Sequence, residues 1–341
     1  MKKKKITIKD VAKHSGVSIA TVSRILNGNE EKFNPQTVKK VIASKEILGY
    51  QPDYFARQLI TKETKTIGVL VPDITNPFFN TLMRGIEDVL YQQHFVTILC
   101  NADSDHQKEI KYLLELTRRG VDGFIIATSA VSTSTINESL RQQNHPFIVL
   151  DQKKSEGLSD SVRTDDFHGG YLAGIHLLTL GHQSIALVYP QAPPENVYRR
   201  IEGFKQALDS HHLLYKNLHV FPTHFSKEGG YQVTSQILRS PVTAIFALND
   251  ELAFGLYRGL EEHGKKIPED YSIIGYDNVD MCEYVKPKLT TIAQPIFELG
   301  QSAAQLLLER IQFPNRECTE KLLPVKLEKR ASTDYVKRKY D

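Results

Sequence analysis

The chain has 341 residues, 40% of them hydrophobic and 24% charged, with three cysteines and no Trp. That length exceeds one ordinary core and suits two or three domains. No stretch approaches the roughly 18 apolar residues of a membrane span. The basic start Met1–Lys5 is followed by alternating charged and apolar residues rather than the apolar stretch of a secretion signal. A cytoplasmic protein without membrane contact is expected. Cys100, Cys282 and Cys318 lack CxxC or Cys/His ligand spacing, which argues against a disulfide framework or a zinc site, and neither metal nor cofactor is expected. The net charge of +3 is uneven: residues 1–62 carry 13 basic and 5 acidic side chains, the remainder 30 and 35. A compact basic module on a mildly acidic body is the charge footprint of a nucleic-acid binder.

The basic module reads as three short helices. Thr7 and Asp10 have the spacing of a capping box, and Ile8, Val11 and Ala12 follow on one face. Ser15-Gly16 ends that helix. Ser18 can cap a second, running through Ala20–Leu26 to Asn27-Gly28 and burying Val22, Ile25 and Leu26 beside Val17. Asn34-Pro35 is the N-cap and first-turn signature of a third helix, with Val38, Val41, Ile42 and Leu48 inward. Two helices around a tight Gly turn, supported by a third, describe a helix-turn-helix, whose second helix reaches base edges in the major groove. Pro52 then breaks the chain, and Asp53–Leu59 could form about two helical turns that would not hold alone in water.

From Thr66 onward strands and helices alternate. Strands are predicted at Ile67–Val71, Val96–Cys100, Phe124–Ala127, Phe147–Leu150, Ile185–Tyr189, Ala244–Ala247 and Ser272–Gly275. Helices are predicted at Pro77–Tyr91, Gln107–Arg119, Phe167–Leu180, Arg199–Ser210 and Glu251–Glu262. This alternation specifies doubly wound parallel sheets, too many strands for one sheet, so an α/β core of two similar lobes follows. Such sheets bind ligands beyond their strand C-termini, which places a site in the cleft between lobes. No GxGxxG follows a strand, and GxxxxGK[ST], GxSxG and HExxH are absent, so an enzyme is not expected.

The ordered string Thr-Ile-Lys-Asp-Val-Ala-Lys, Ser-Gly-Val-Ser, Ala-Thr-Val-Ser-Arg-Ile-Leu-Asn-Gly within residues 7–28 closely resembles the headpiece of the lac repressor and galactose repressor family of bacterial transcription regulators. The likeness continues through Leu48-Gly49-Tyr50-Gln51-Pro52 and Ala56-Arg57-Gln58-Leu59 and spans essentially the whole chain. It implies a helix-turn-helix headpiece at 1–50, a hinge at 51–62 and a periplasmic-binding-protein-like core at 63–333. Lobe one would hold about 63–161 plus 293–322, lobe two 162–292 plus 323–333, and 334–341 would be a polar tail. No leucine heptads mark that tail for a tetramerising coil.

The resemblance also assigns residues. Ile19 and Ala20 stand where operators are discriminated, with packing as their bland alternative. Arg24 stands where a guanidinium meets guanine, and Thr21 and Ser23 look like backbone contacts, with Thr7, Ser18 and Asn27 in the same DNA-facing set. In the hinge, Leu59 matches a minor-groove wedge and Ala56 a close-packed helix face. Positions matching the family's effector site are Asp151, Arg200, Asn249 and Asp277, with Phe78, Phe79 and Phe225 as aromatic walls. Of the adjacent Phe78 and Phe79, one is expected in the cleft and the other in the core. An Asp after a strand often only caps the next helix, the bland reading for Asp250. Thr75–Phe79 with Leu99-Cys100-Asn101 is similar to ribose-type repressors of the family. The implied partners are a pseudo-palindromic double-stranded DNA operator, a small sugar such as ribose or a sugar phosphate, and a second copy of the chain; the first core helix, around Leu82, Ile86 and Val89, is either a dimer face or buried within its own lobe. An alternative is a global carbon regulator using a phosphorylated carrier protein as corepressor, bound near Arg84; a plain solute-binding protein would lack residues 6–59.

Overall fold

A computed structural model of the protein describes residues 6–51, 63–128, 132–150, 157, 159–211 and 218–337. Ala56, Leu59 and Asp151 therefore lie outside the described residues. The chain divides into two compact units, Met1–Thr64 and Lys65–Asp341.

The first unit contains α1 (Ile8–Ser15), α2 (Ile19–Leu26) and α3 (Pro35–Leu48). Their ends are set by the residues that mark them in the sequence. The Asp10 carboxylate accepts from Thr7 N at 2.8 Å and from Thr7 Oγ1 at 2.7 Å, and Gly16 ends α1 in the left-handed region at φ 70°. Ser18 Oγ accepts from Thr21 N, and Asn34 Oδ1 from Gln36 N ahead of Pro35. Val11, Ala12, Val22, Ile25, Val41 and Tyr50 form the core, with Val17, Leu26, Val38 and Leu48 packed on it. Each of the larger side chains contributes about 1.5–3 kcal/mol by leaving water. Tyr50 enters this core from beyond the predicted inward face of α3, and Ile42 is only half-buried.

The second unit has two six-stranded sheets. Sheet one contains β1 (Thr66–Val71), β2 (Val96–Asn101), β3 (Gly123–Ile126), β4 (Phe147–Leu150), β5 (Asp160–Thr164) and β11 (Glu320–Leu323). Its order is β11-β5-β4-β3-β1-β2. The helices α4 (Pro77–Gln92), α5 (His106–Arg118), the short α6 (Thr133–Ile136) and α11 (Ile296–Gln312) accompany it. Sheet two contains β6 (Ile185–Pro190), β7 (Leu218–Thr223), β8 (Ala244–Ala247), β9 (Ser272–Asp277), β10 (Thr290–Ala293) and β12 (Lys326–Glu328), in the order β12-β10-β9-β8-β6-β7. It carries α7 (Asp166–Thr179), α8 (Glu195–Ser210), α9 (Lys227–Ile237) and α10 (Asp250–Glu262). All strand pairs are parallel except β10 with β12. No described helix is long and apolar enough to cross a membrane.

The chain passes between the sheets three times: after β5, between β10 and α11, and between β11 and β12. The first passage comes after Thr164 rather than at 161/162, because β5 pairs along its length with β11 and in part with β4. These passages are bonded to one another: Asp165 N donates to Leu323 O at 3.0 Å, and Thr164 Oγ1 to Gln294 Oε1 at 2.7 Å. The end of the chain also extends lobe two beyond 333. Ser332 is fully buried, and Val336 N donates to Leu180 O.

The candidate dimer face on α4 is occupied within lobe one. Leu82 and Ile86 are buried against Leu299 and Ala303 of α11, with Val89 packed on the same cluster. The helices touch backbone to backbone, since a Cβ on Gly85 would lie 2.1 Å from Phe297 O. Exposed apolar side chains lie instead on the edge strand β2, where Val96 is 67% exposed beside Ile98 and Leu99.

Candidate functional sites: an exposed recognition helix and a cleft between two sheets

On the first unit, α2 buries Val22 and Ile25 and turns Ile19, Ala20, Arg24 and Asn27 outward. Ile19 is 45% exposed, so packing does not account for it. Thr21 and Ser23 are half-buried, and Thr7 and Ser18 are exposed at the starts of α1 and α2. Ser18 Oγ lies 2.9 Å from Thr21 Oγ1, and Asn27 Nδ2 donates to Ser23 Oγ at 3.4 Å. The outward face thus offers one cation, short hydroxyls and an apolar tip at a helix N-terminus, a combination suited to a groove and its phosphates.

In the second unit, a cavity of about 440 Å³ opens at the C-terminal ends of the strands, between the sheets. Lobe one supplies Asp73, Asn76, Phe78, Phe79 and Ser104 to its lining; lobe two supplies Asn196, Arg200, Phe225 and Asp277. Asn76 caps α4 by accepting from Phe78 N at 3.0 Å, which fixes the aromatic pair at the cavity wall. The two rings meet edge to face, with centroids 5.1 Å apart and an interplanar angle of 77°. Both rings line the cavity, whereas adjacency in sequence suggested that only one would. At the start of a helix, consecutive residues are about 100° apart, and both directions here border the cleft.

Arg200 is only 2% exposed. Its Nε donates to Asp166 Oδ1 at 2.8 Å and its Nη1 to Leu248 O at 2.7 Å, and its guanidinium carbon lies 3.7 Å from the Tyr276 ring centroid. Nη1 also stands 3.8 Å from Asp277 Oδ1. Asp277 accepts from Gln294 Nε2 at 2.6 Å, and Gln294 in turn accepts from Thr164. The sites of Arg200 and Asp277 are thereby fixed from the helix, the strand end and the passage between lobes. Burial raises the Glu251 carboxyl above the ordinary range, and the Asp73 carboxylate raises it further, while Lys227 opposes both.

Asn249 does not line this cavity. It caps α10, accepting from Leu252 N at 2.9 Å, and its Nδ2 is buried with no hydrogen-bond partner among the described residues. The cap that sequence suggested for Asp250 belongs to Asn249. Asp250 is the first residue of the helix and points its carboxylate into the turn after β9. Asp73, Ser104, Asn196, Asp166 and Gln294 also belong to the site or its supports and carry no motif in the sequence. Asp166 follows β5, which was not predicted, and Gln294 has no motif of its own. The arrangement can hold a small, hydroxyl-rich ring: aromatic faces cover C–H surfaces, and fixed carboxylate, amide and guanidinium groups orient hydroxyls.

Two families match. A profile of the bacterial regulatory proteins of the lacI family fits residues 7–53, and one of periplasmic binding proteins and the sugar binding domain of the LacI family fits residues 64–331. The second unit resembles a LacI family transcriptional regulator from Enterococcus faecium solved with bound ribose, at 74% identity and TM-score 0.77, covering 80% of this chain and 100% of that one. The lac repressor dimer bound to operator and the anti-inducer ONPF is 28% identical at TM-score 0.85, over 97% of this chain and 100% of that one. Catabolite control protein A of Priestia megaterium is 34% identical over 331 residues, 96% of this chain and 99% of that protein. These relatives are transcriptional regulators rather than enzymes. With headpiece and two-lobed core matched in the same chain order, the chain belongs to the LacI family and is a DNA-binding transcriptional regulator.

Proposed function

We propose that this regulator represses carbohydrate-utilisation genes as a homodimer on a pseudo-palindromic operator, and that ribose bound between the lobes sets its affinity for DNA. The observation carrying the effector is the cleft: two phenylalanine rings from lobe one face Arg200, Asp277 and Phe225 from lobe two across about 440 Å³. The ribose-bound regulator at 74% identity supports the same ligand. Charge favours a neutral sugar over a sugar phosphate. Among the described lining residues two carboxylates, Asp73 and Asp277, outnumber one guanidinium, and Arg200 is already engaged by Asp166. A phosphate would enter with about two further negative charges and, among the described lining residues, no cation beyond the engaged Arg200 to meet them.

On DNA, Ile19 and Ala20 select bases by apolar contact, Arg24 donates to a guanine, and Thr7, Ser18, Thr21, Ser23 and Asn27 fix register on the backbone. Ala56 and Leu59 act in the hinge, and Asp151 joins the effector site. The exposed apolar edge of β2 is the face we assign to the dimer. Ligand shifts the DNA equilibrium only by its differential affinity for the lobe arrangements. The test is fluorescence anisotropy on DNA upstream of the protein's own gene, with and without ribose, other pentoses and hexoses, and their phosphates. Specific binding altered by ribose alone is the expected result. Specific binding indifferent to every sugar would transfer control to a phosphorylated carrier protein, docking near exposed Arg84 on α4.

A further inference from the structure

Asp277, the effector carboxylate of the preceding proposal, sits on unfavourable backbone. Its φ is 119° and that of Asn278 is 62°, conformations that side-chain-bearing residues keep only when their surroundings impose them. The imposing group lies beneath the cleft. Asp250, fully buried, accepts through Oδ2 from Val279 N at 2.9 Å and from Cys282 Sγ at 3.1 Å. Its Oδ1 accepts from Thr291 Oγ1 at 2.7 Å, and the Asn278 backbone contributes a further bond. One carboxylate therefore joins the start of α10, the turn after β9 and strand β10. Gly275 leaves room for it, since a Cβ there would lie 2.3 Å from Asp250 Oδ1. A carboxylate buried this deeply, among four donors and with no cation of the described residues within ion-pair distance, is costly unless those bonds compensate it.

We propose that Asp250 is a positioning residue for effector binding: its ionised carboxylate clamps the turn 278–282 and so holds Asp277 at the cleft without touching the effector. The inference rests on the reading of the cleft as the effector site. An ionised carboxylate accepts from every direction, whereas a protonated one turns one oxygen into a donor facing donors. Burial pushes the Asp250 carboxyl up to about 6, against the opposing pull of its hydrogen bonds. The titratable and charged groups around it are Cys282, Tyr257, Asp277 and, at longer range, Arg330 with its partner Glu283. Burial raises the Cys282 thiol, and Asp250 raises it further; burial likewise raises Tyr257, so both remain protonated donors. Arg330 holds Asn278 Oδ1 at 2.8 Å from the other side of the turn. The effector-competent turn requires the ionised form, so ribose affinity is full above the Asp250 pKa and falls as pH drops through about 6.

The experiment is calorimetric titration of the full-length protein with ribose from pH 5.5 to 8, for wild type, Asp250→Asn and Thr291→Val, with hydrogen exchange of the 277–282 amides at pH 7.5. Wild type is expected to bind more weakly at the acid end. Asp250→Asn should bind about tenfold more weakly at pH 7.5, lose the pH step and exchange faster across 277–282 than in the rest of lobe two. Thr291→Val, which keeps the carboxylate, should shift affinity in the same direction by less, and it carries the test if Asp250→Asn fails to fold. Wild-type affinity, pH profile and exchange in a folded Asp250→Asn would overturn the proposal, as would a Thr291→Val protein indistinguishable from wild type if Asp250→Asn does not fold. If wild type itself binds no ribose, the effector reading fails. The exchange result then decides the clamp separately: faster exchange at 277–282 upholds it and unchanged exchange overturns it.

Discussion

The two units place their functional side chains in opposite environments. On α2 Ile19, Ala20 and Arg24, assigned to base contacts, stand in solvent, and the helix is held by Val22 and Ile25 on its other face. In the core, Arg200 and Asp277 are almost wholly buried, and each is already bonded to protein. A headpiece residue can therefore change recognition while leaving the fold intact. A cleft residue is part of the fold, and changing it alters stability and ligand affinity together.

That contrast can be broken by four substitutions, taken from the largest expected effect. Arg200→Met would leave Asp166 and Asp277 without their buried cation, costing about 3–5 kcal/mol of core stability and abolishing ribose binding. Denaturant unfolding with calorimetry checks both, and a variant of native stability would show that the cleft is as detachable as the headpiece face.

A change of pH comes next. Burial depresses the His176 imidazole to about 4, and its Nε2 lies 2.8 Å from Thr333 Oγ1. Its folded pKa is below the unfolded value, so the unfolded chain takes up more protons as pH falls. The associated stability is present above pH 6.5 and is lost between 6.5 and 4, about 3 kcal/mol at most. Asp250, raised, contributes with opposite sign over an overlapping range, so the informative quantity is the wild-type melting curve minus that of His176→Gln across pH 4–7. A difference independent of pH would remove His176 from the account.

Arg24→Ala should weaken specific operator binding by about 1–3 kcal/mol with headpiece stability within about 0.5 kcal/mol of wild type. Anisotropy and thermal melting on the same sample separate the two. Smallest is Ser18→Ala, which removes the α2 cap and should cost the headpiece about 1 kcal/mol. A loss confined to DNA binding would mean that Ser18 works as a contact and not as a cap.

The same contrast explains what could be read from the sequence. Headpiece boundaries rest on neighbours in sequence: Thr7 with Asp10, Ser18 with Thr21, Asn34 with Gln36. Buried strands such as β3, β4 and β8 are short apolar runs and stand out equally. Lobe-two features that depend on distant partners do not. Helix α9 opens Lys-Glu-Gly-Gly, poor helix sequence, because a Cβ on Gly230 would meet Leu252 O of α10 at 2.1 Å. Strand β7 contains Pro222, tolerated because β7 is the edge of its sheet. Gln294 has meaning only through Asp277 and Thr164, the second 130 residues away. The apolar stripe of α4 left two readings open, a dimer face or burial within the lobe, because a helical stripe does not say which surface will cover it; here α11, which the sequence did not mark, covers it.

The three passages between the lobes run side by side and are bonded across, through Asp165 to Leu323 and Thr164 to Gln294. Three parallel straps joined edge to edge behave mechanically like a strip of sheet metal, which flexes readily about one line and resists torsion. A joint built this way favours one rotation of the lobes over all others, that of a book about its spine. Because Gln294 is one of those cross-bonds and also grips Asp277, the spine of the book and the cleft are joined through a single side chain.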